Sequence, residues 1–196
     1  VFIPIAVTSA FGIVLLFGQL NKRKSLATIL ILFVATFLSV GGAWQNARAV
    51  NAETILATRS DLDALDWIKT HTPEDARFFV NTTYWGFDIY RGVDGGGWIL
   101  PITGRWSLAP TIFYPMIADQ EYIQSVRDMG MRASTITECG EDFWLLVNDA
   151  EIDYLYIKEG MGSLRPEALI SCDGINQLIN IDGVHIYLIS QPENTP

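Results

Sequence analysis

The chain has 196 residues, of which 49% are apolar and 18% charged, and its formal net charge is −9. Soluble domains usually carry about 25% charged residues, so at least one part of this chain must be poor in charged residues. Residues 1–50 hold four basic residues and no acidic one, whereas residues 51–196 hold all 22 acidic residues and nine basic ones. This division excludes a plain cytosolic enzyme and a disordered chain, and the strongly acidic second part repels phosphate backbones, which excludes a nucleic-acid binder.

The first fifty residues contain two long apolar runs, at 1–20 and 26–44. About 20 helical residues cross the ~30 Å hydrocarbon core of a bilayer. The loop between the runs, residues 21–25, has the sequence NKRKS, and short Lys/Arg-rich loops stay on the cytoplasmic side. The sequence therefore predicts two transmembrane helices within residues 1–44, a cytoplasmic loop at 21–25, and an extracytoplasmic position for everything that follows.

A cleaved signal peptide is the alternative interpretation of this region. The basic residues 22–24, the second apolar run and the triplet Ala47-Arg48-Ala49 match its general pattern. An apolar run precedes the basic residues, however, and the chain begins with Val1. We therefore expect a fragment of a longer multi-pass membrane protein, located in the cell membrane, with its C-terminal domain outside the cytoplasm.

After a juxtamembrane linker at 45–58, residues 59–190 predict one α/β domain, followed by a tail at 191–196. Its first helix is predicted to open at Ser60, with acidic residues at its positive end. The apolar side chains of Leu62, Leu65 and Ile68 have helical spacing and predict the buried face of this helix. The helix is predicted to end at Thr72-Pro73.

The other predicted elements of this domain end in a β-hairpin that turns at Asp182-Gly183. Gly130 is the expected stop of the second helix. Together the elements predict a small mixed sheet with helices packed on it; they are a strand at 77–81, helices at 119–129 and 141–150, a strand at 152–157, and hairpin strands at 177–181 and 184–189.

Residues 82–117 fit no regular pattern and are rich in Tyr, Trp, Gly and Pro. An irregular stretch of this length inside a domain is usually a functional or membrane-contacting loop. We therefore expect the functional residues here. The run Asp94-Gly95-Gly96-Gly97 is not a phosphate-binding loop, because Trp98 and Pro101 follow where a helix should begin.

The chain has two cysteines, Cys139 and Cys172, and both fall in the domain predicted to be extracytoplasmic. An even count in an oxidising compartment predicts a disulfide, with two free thiols as the alternative. His71 and His185 are isolated in the sequence, and a zinc site needs three or four ligands at recognisable spacing. We therefore predict no metal site in this chain.

The phrase ALDWIKTHTPEDARFFVNTTYWG, which follows the two apolar runs and precedes a Gly/Trp/Arg-rich loop, resembles the C-terminal end of GT-C membrane glycosyltransferases. This superfamily includes protein mannosyltransferases and the catalytic subunit of oligosaccharyltransferases. The resemblance implies a polyprenyl-phosphate-linked or pyrophosphate-linked sugar donor, a glycan or protein acceptor, and contact with the lipid bilayer. It also implies that the catalytic carboxylate lies on an outer loop upstream of this chain, so that no residue here is predicted to be catalytic. A divalent metal is possible in the full-length protein, and no cofactor is evident in this part.

A narrower resemblance concerns the W-W-D-Y-G motif of oligosaccharyltransferases, which binds the acceptor. Asp94, Trp98 and Arg105 fall at similar offsets, but Gly92 and Val93 replace the two tryptophans and Gly95 replaces the tyrosine. Aromatic faces stack on sugar rings, while a carboxylate and an arginine bind hydroxyl or phosphate groups. The resulting set of candidate substrate-binding residues is Tyr84, Trp85, Asp94, Trp98 and Arg105.

Two main functional hypotheses follow. The first is the C-terminal part of an integral-membrane glycosyltransferase, whose α/β domain assists acceptor or donor binding on the outer face. The second is a non-catalytic, membrane-anchored binding or interaction module. A domain secreted after signal cleavage is a third.

Overall fold

The computed structural model describes residues 24–49 and 57–190, which belong to two separate units. In the first unit, helix α1 spans Lys24–Ala49, and apolar side chains such as Phe33 and Phe37 are exposed on it. No helix within the described parts of the chain meets the combined length and hydropathy needed to cross a membrane. The predicted span at 1–20 and the tail at 191–196 lie outside the described residues. The two transmembrane helices therefore stay a prediction.

The second unit is a mixed α/β domain. Its strands are β1 Arg77–Val80, β2 Thr82–Gly86, β3 Ile89–Gly92, β4 Trp106–Ser107, β5 Tyr154–Lys158, β6 Ile175–Ile181 and β7 Val184–Ile189. Its helices are α2 Arg59–His71, α3 Ile99–Thr103, α4 Tyr114–Ile117, α5 Gln120–Thr135, α6 Glu141–Asp149 and α7 Pro166–Leu169, and a 3-10 turn spans Gly95–Trp98.

Five strands form the main sheet, in the order β4-β1-β5-β7-β6. Strand β1 is parallel to β4 and β5, whereas β7 is antiparallel to β5 and β6. The predicted mixed sheet with a closing hairpin is thereby confirmed. Asp182 and Gly183 take positive φ angles at the turn, as a tight hairpin requires.

The core lies on both faces of the central strands. Phe78, Phe79 and Val80 of β1 are fully buried, and so are Leu65 and Ile68 of α2. A strand with parallel neighbours on both sides is usually covered by helices on both faces, which accounts for the unbroken apolar run in β1.

The start of α2 differs from the prediction. The N-cap is Thr58, and its backbone N–H donates to the carboxylate of Asp61, which closes a capping box. The helix begins two residues earlier than predicted, and Asp61, four residues before Leu65 and seven before Ile68, takes the inward position that was expected for Leu62. Leu62 is exposed and Asp61 is fully buried.

Helix α5 passes through Gly130, where it was predicted to stop. A Cβ at this position would lie 2.6 Å from Cβ of Tyr90, so glycine is needed here for close packing and not as a helix terminator. The expectation that residues 82–117 are irregular was also wrong, because they contain the β2–β3 hairpin, the 3-10 turn, α3, β4 and α4.

Candidate functional site

A cavity of about 220 Å³ lies where the end of β3, the 3-10 turn and the segment 110–113 meet. Two of the sequence-predicted residues, Asp94 and Trp98, line it. The other lining residues are mostly apolar or glycine: Arg91, Gly92, Gly97, Pro110, Thr111, Ile112 and Phe113.

The glycine run beside the cavity is required by packing. Asp94 is the N-cap of the 3-10 turn, and its Oδ1 accepts a hydrogen bond of 2.8 Å from the backbone N–H of Gly96. A Cβ on Gly95 would lie 2.5 Å from the side chain of Asp61, and one on Gly96 would lie 2.7 Å from Val80. The turn therefore presses against α2 and β1, which fixes the position of Asp94.

Asp94 is 2% exposed, and its second oxygen, Oδ2, is buried without a hydrogen-bond partner. Burial raises the pKa of this carboxyl to about 7, and the negative charge of Asp61 acts in the same direction. The Gly96 N–H and the positive charge of Lys158 oppose the rise. Near neutral pH Asp94 can therefore either accept or donate a proton.

Asp61 lies on the other side of the glycine turn. Its Oδ1 accepts a 2.6 Å hydrogen bond from the hydroxyl of Tyr156, and its Oδ2 binds the ammonium group of Lys158. Burial alone would raise the pKa of Asp61, but the bonds from Lys158, Thr58 and Tyr156 outweigh it and hold the pKa below its usual value. Asp61 is thus an ionised structural group beside the site, which sequence reasoning treated only as a helix-end acid.

Arg91 was missed by the sequence analysis. Its guanidinium lies 4.4 Å from the ring centre of Trp85, its Nε is buried without a partner, and burial lowers its pKa. Trp85 and Tyr84 are both half exposed, and Tyr84 packs edge-on against Tyr90 across the hairpin. The structure thus connects Trp85 to the cavity through Arg91.

Arg105 lies apart from these residues and is not among those that line the cavity. It is 8% exposed, and it donates to four backbone carbonyls over distances of 2.6 to 3.2 Å. Three of these carbonyls, from Lys69, Thr72 and Pro73, surround the end of α2. In this position the guanidinium completes a helix C-terminus, where carbonyls lack internal partners.

The predicted disulfide between Cys139 and Cys172 is confirmed, with the two Cα atoms 6.1 Å apart. It joins the start of α6 to the segment after α7. Within residues 24–49 and 57–190, no group of three or more His, Cys, Asp and Glu side chains is arranged to hold a metal ion.

No family model matches this chain, and no curated protein matches it. Among solved structures, the chain is similar to the C-terminal globular domain of an oligosaccharyltransferase from Archaeoglobus fulgidus. The sequence identity is 15%, the match covers 68% of this chain and 98% of that one, and the TM-score is 0.42. A likeness of this size carries no functional conclusion by itself.

Proposed function

We propose that residues 57–190 form the extracytoplasmic domain of a multi-pass membrane glycosyltransferase with a polyprenyl-linked sugar donor, and that the cavity beside Asp94 binds a sugar of the donor or the acceptor. One observation carries the assignment of the site. Among the described residues, three buried side-chain atoms lack a hydrogen-bond partner, and two of them, Arg91 Nε and Asp94 Oδ2, belong to residues that line this cavity. The membrane glycosyltransferase context comes from the sequence resemblance.

A sugar ring suits these groups chemically. A hydroxyl group can accept a hydrogen bond from Arg91 and donate one to Asp94, and both atoms are costly to leave unpaired. The C–H face of the ring can pack against Trp98 and Phe113, which line the cavity. At about 220 Å³ the cavity is smaller than pockets for drug-sized ligands, which span roughly 300–1,000 Å³, so it has room for a single ring.

The role proposed for this domain is binding and orientation of substrate. The resemblance implies a catalytic carboxylate on a loop upstream of the chain, and a divalent metal would act there. We therefore expect residues 1–196 alone to transfer no sugar, whereas a full-length protein that contains them transfers sugar and depends on the cavity for substrate affinity.

The test uses the full-length protein in membranes, with a radiolabelled polyprenyl-phosphate sugar as donor. Arg91→Lys replaces the planar guanidinium, with its several N–H donors, by an ammonium group. Asp94→Asn places an amide N–H donor at the position of the Oδ2 acceptor. We expect both variants to raise KM with little change in kcat. Arg59→Lys is the matched control, since its side chain is 86% exposed and is not among the residues that line the cavity. Unchanged KM in both cavity variants would contradict substrate binding in this cavity. An inactive wild type would contradict the proposed glycosyltransferase activity.

The second candidate, a non-catalytic binding module, is favoured by one observation: Arg105, the predicted phosphate or hydroxyl ligand, is engaged with backbone carbonyls. Saturation-transfer NMR on residues 1–196 in detergent, with methyl glycosides as probes, would separate the two candidates. Sugar binding by this chain without transfer by the full-length protein would favour the module.

The proposed location outside the cytoplasm has its own test. Because both native cysteines are in the disulfide, single cysteines introduced as Lys24→Cys and Thr195→Cys report their own side of the membrane. A membrane-impermeant maleimide added to intact cells should label position 195 and not position 24. Labelling of position 24 alone would reverse the orientation.

A further inference from the structure

A group of exposed apolar side chains surrounds the hairpin tip and helix α4, and we call it the apolar rim; it consists of Trp85, Phe87, Phe113, Met116 and Ile117. Phe87 is 97% exposed, Ile117 83% and Met116 80%. Phe87 lies in the β2–β3 turn, where it and Asp88 take positive φ angles. A phenylalanine placed at a turn that favours Asn or Gly, and left almost wholly exposed, has no packing role within the domain.

The two parts of the rim are held by the same helix, α5. Trp85 packs on Arg91, which lines the same cavity as Phe113. The hairpin is bonded to α5, because the Thr82 hydroxyl donates to the carbonyl of Gly130 over 2.6 Å. Helix α4 comes directly before α5 in the chain and contacts it, so one helix supports both parts of the rim.

The charges around the rim differ from those of the rest of the domain. Residues 51–196 carry 22 acidic and nine basic residues, but residues 82–117 carry two of each. Of the two acidic side chains, Asp88 is paired with Arg127 at 2.9 Å and Asp94 is buried. Within residues 82–117, therefore, no carboxylate is both exposed and unpaired, and the next acidic residues along the chain, Asp119 and Glu121, are exposed.

We propose that the apolar rim inserts into the interfacial region of a lipid bilayer. Its side chains project from two separate tips, a hairpin turn and a four-residue helix, whereas protein interfaces bury a continuous, closely packed patch. Trp and other aromatic side chains favour the membrane interface, and shallow insertion of an apolar surface is sufficient for interfacial binding.

The short linker before the domain is compatible with contact between the apolar rim and a bilayer. Seven residues, 50–56, connect α1 to the described domain, and an extended chain of this length spans about 25 Å. A bilayer crossed by residues 26–44, as the sequence predicts, is thus within covalent reach of the domain. The inference goes beyond the proposed sugar site and requires no sugar to be bound.

The experiment measures the depth of single nitroxide labels in residues 1–196 reconstituted into phosphatidylcholine vesicles. Labels are attached at Phe87→Cys and Ile117→Cys in the rim, and at Ile170→Cys as the matched control, because Ile170 is an apolar residue that is 85% exposed and lies outside the rim. Collisions with oxygen, which concentrates in lipid, are compared with collisions with an aqueous nickel chelate. All three positions are exposed, so the labels leave the core unchanged.

We expect the oxygen-to-nickel ratio at positions 87 and 117 to exceed that at position 170 several-fold. Equal ratios at all three positions would overturn the proposal. Protection of positions 87 and 117 from both reagents, with spin–spin broadening between labelled chains, would show that a second copy covers the rim and would also overturn it. Sugar transfer is not measured, so this result and the test of the proposed function can fail separately.

Discussion

Tyr156 donates a hydrogen bond to Asp61, with 2.6 Å between Oη and Oδ1, and both residues are buried. This bond joins the middle of β5 to the first turn of α2. Lys158, two residues further along the same face of β5, binds the other oxygen of the same carboxylate. Asp61 also packs against Gly95 in the turn that carries Asp94. One carboxylate thus connects a helix start, a central strand and the wall of the candidate site.

We expect Asp61→Asn to lower the free energy of unfolding by about 3 kcal/mol, because the variant leaves the largely buried ammonium group of Lys158 without its counter-charge. Chemical denaturation of the full chain, followed by circular dichroism, measures the change. Asp63→Asn is the control: Asp63 is half exposed and pairs with Arg59 on the helix surface, which is worth about 0.5 kcal/mol or less. Equal losses in the two variants would contradict the structural role of Asp61.

Arg105→Lys should destabilise the domain although it keeps the charge. A lysine cannot reach the carbonyls of Lys69, Thr72 and Thr103 at once, and the loss of charged hydrogen bonds to buried acceptors costs roughly 2–3 kcal/mol. Thermal unfolding measures this loss, and KM for the sugar donor in the full-length protein should be unchanged. A raised KM at unchanged stability would instead support the substrate-binding role that the resemblance implies.

The elements predicted correctly have local sequence signals. The run Phe78–Val80 and the Asp182-Gly183 turn predict a buried strand and a hairpin from adjacent residues alone. Strand β4 has two residues and exists because β1 offers it a parallel partner, so no periodicity marks it. The continuation of α5 through Gly130 likewise depends on Tyr90, which is forty residues away in the sequence.

The candidate site was predicted in part. The motif resemblance pointed to Asp94 and Trp98, and both line the cavity. Arg91 and Asp61 were not predicted to matter, since their roles depend on contacts between distant segments: Asp61 and Lys158 are 97 positions apart. A usable signal for Asp61 was its spacing from Leu65 and Ile68, which places a carboxylate on the buried face of the helix.

Gly130→Ala should destabilise the domain by about 1–3 kcal/mol, because the new Cβ would overlap Cβ of Tyr90. The sign of the change in unfolding free energy tests the packing, because the same substitution at an uncrowded helix position stabilises by about 1 kcal/mol. Met131→Ala, at the half-exposed neighbouring position, should change stability by about 0.5 kcal/mol or less. Urea unfolding curves of both variants give the comparison, and a stabilised Gly130→Ala variant would contradict the packing of α5 against the hairpin.

Removal of the disulfide should lower stability substantially. The two cysteines are 33 positions apart, and closing a loop of that length stabilises by about 3–4 kcal/mol in the chain-entropy model. The double variant Cys139→Ala/Cys172→Ala should therefore unfold at a lower urea concentration than the wild type. Reductant should lower the wild-type midpoint toward that of the variant and leave the variant unchanged. A reductant effect on the variant would show that the wild-type change has another cause.

The raised pKa of Asp94, about 7, predicts how stability depends on pH. The unfolded-state pKa is about 3.9, so the folded state binds the proton more tightly. The stability contributed by the bound proton is complete below about pH 4, falls between about pH 4 and 7, and levels off above about pH 7. Three pKa units correspond to about 4 kcal/mol across this window.

Asp94→Asn is uncharged at every pH and keeps an acceptor for the Gly96 N–H, so its stability should not follow this fall. The difference in unfolding free energy, variant minus wild type, should rise from its value near about pH 4.5 to a plateau above about pH 7. Asp61, whose pKa is lowered, contributes stability that is lost only as the pH falls below the ordinary carboxyl range. Both proteins share that contribution, so it cancels in the difference. Thermal unfolding in detergent across this pH range measures the curve. A flat difference for Asp94→Asn would mean that the Asp94 carboxyl is ionised in the folded domain.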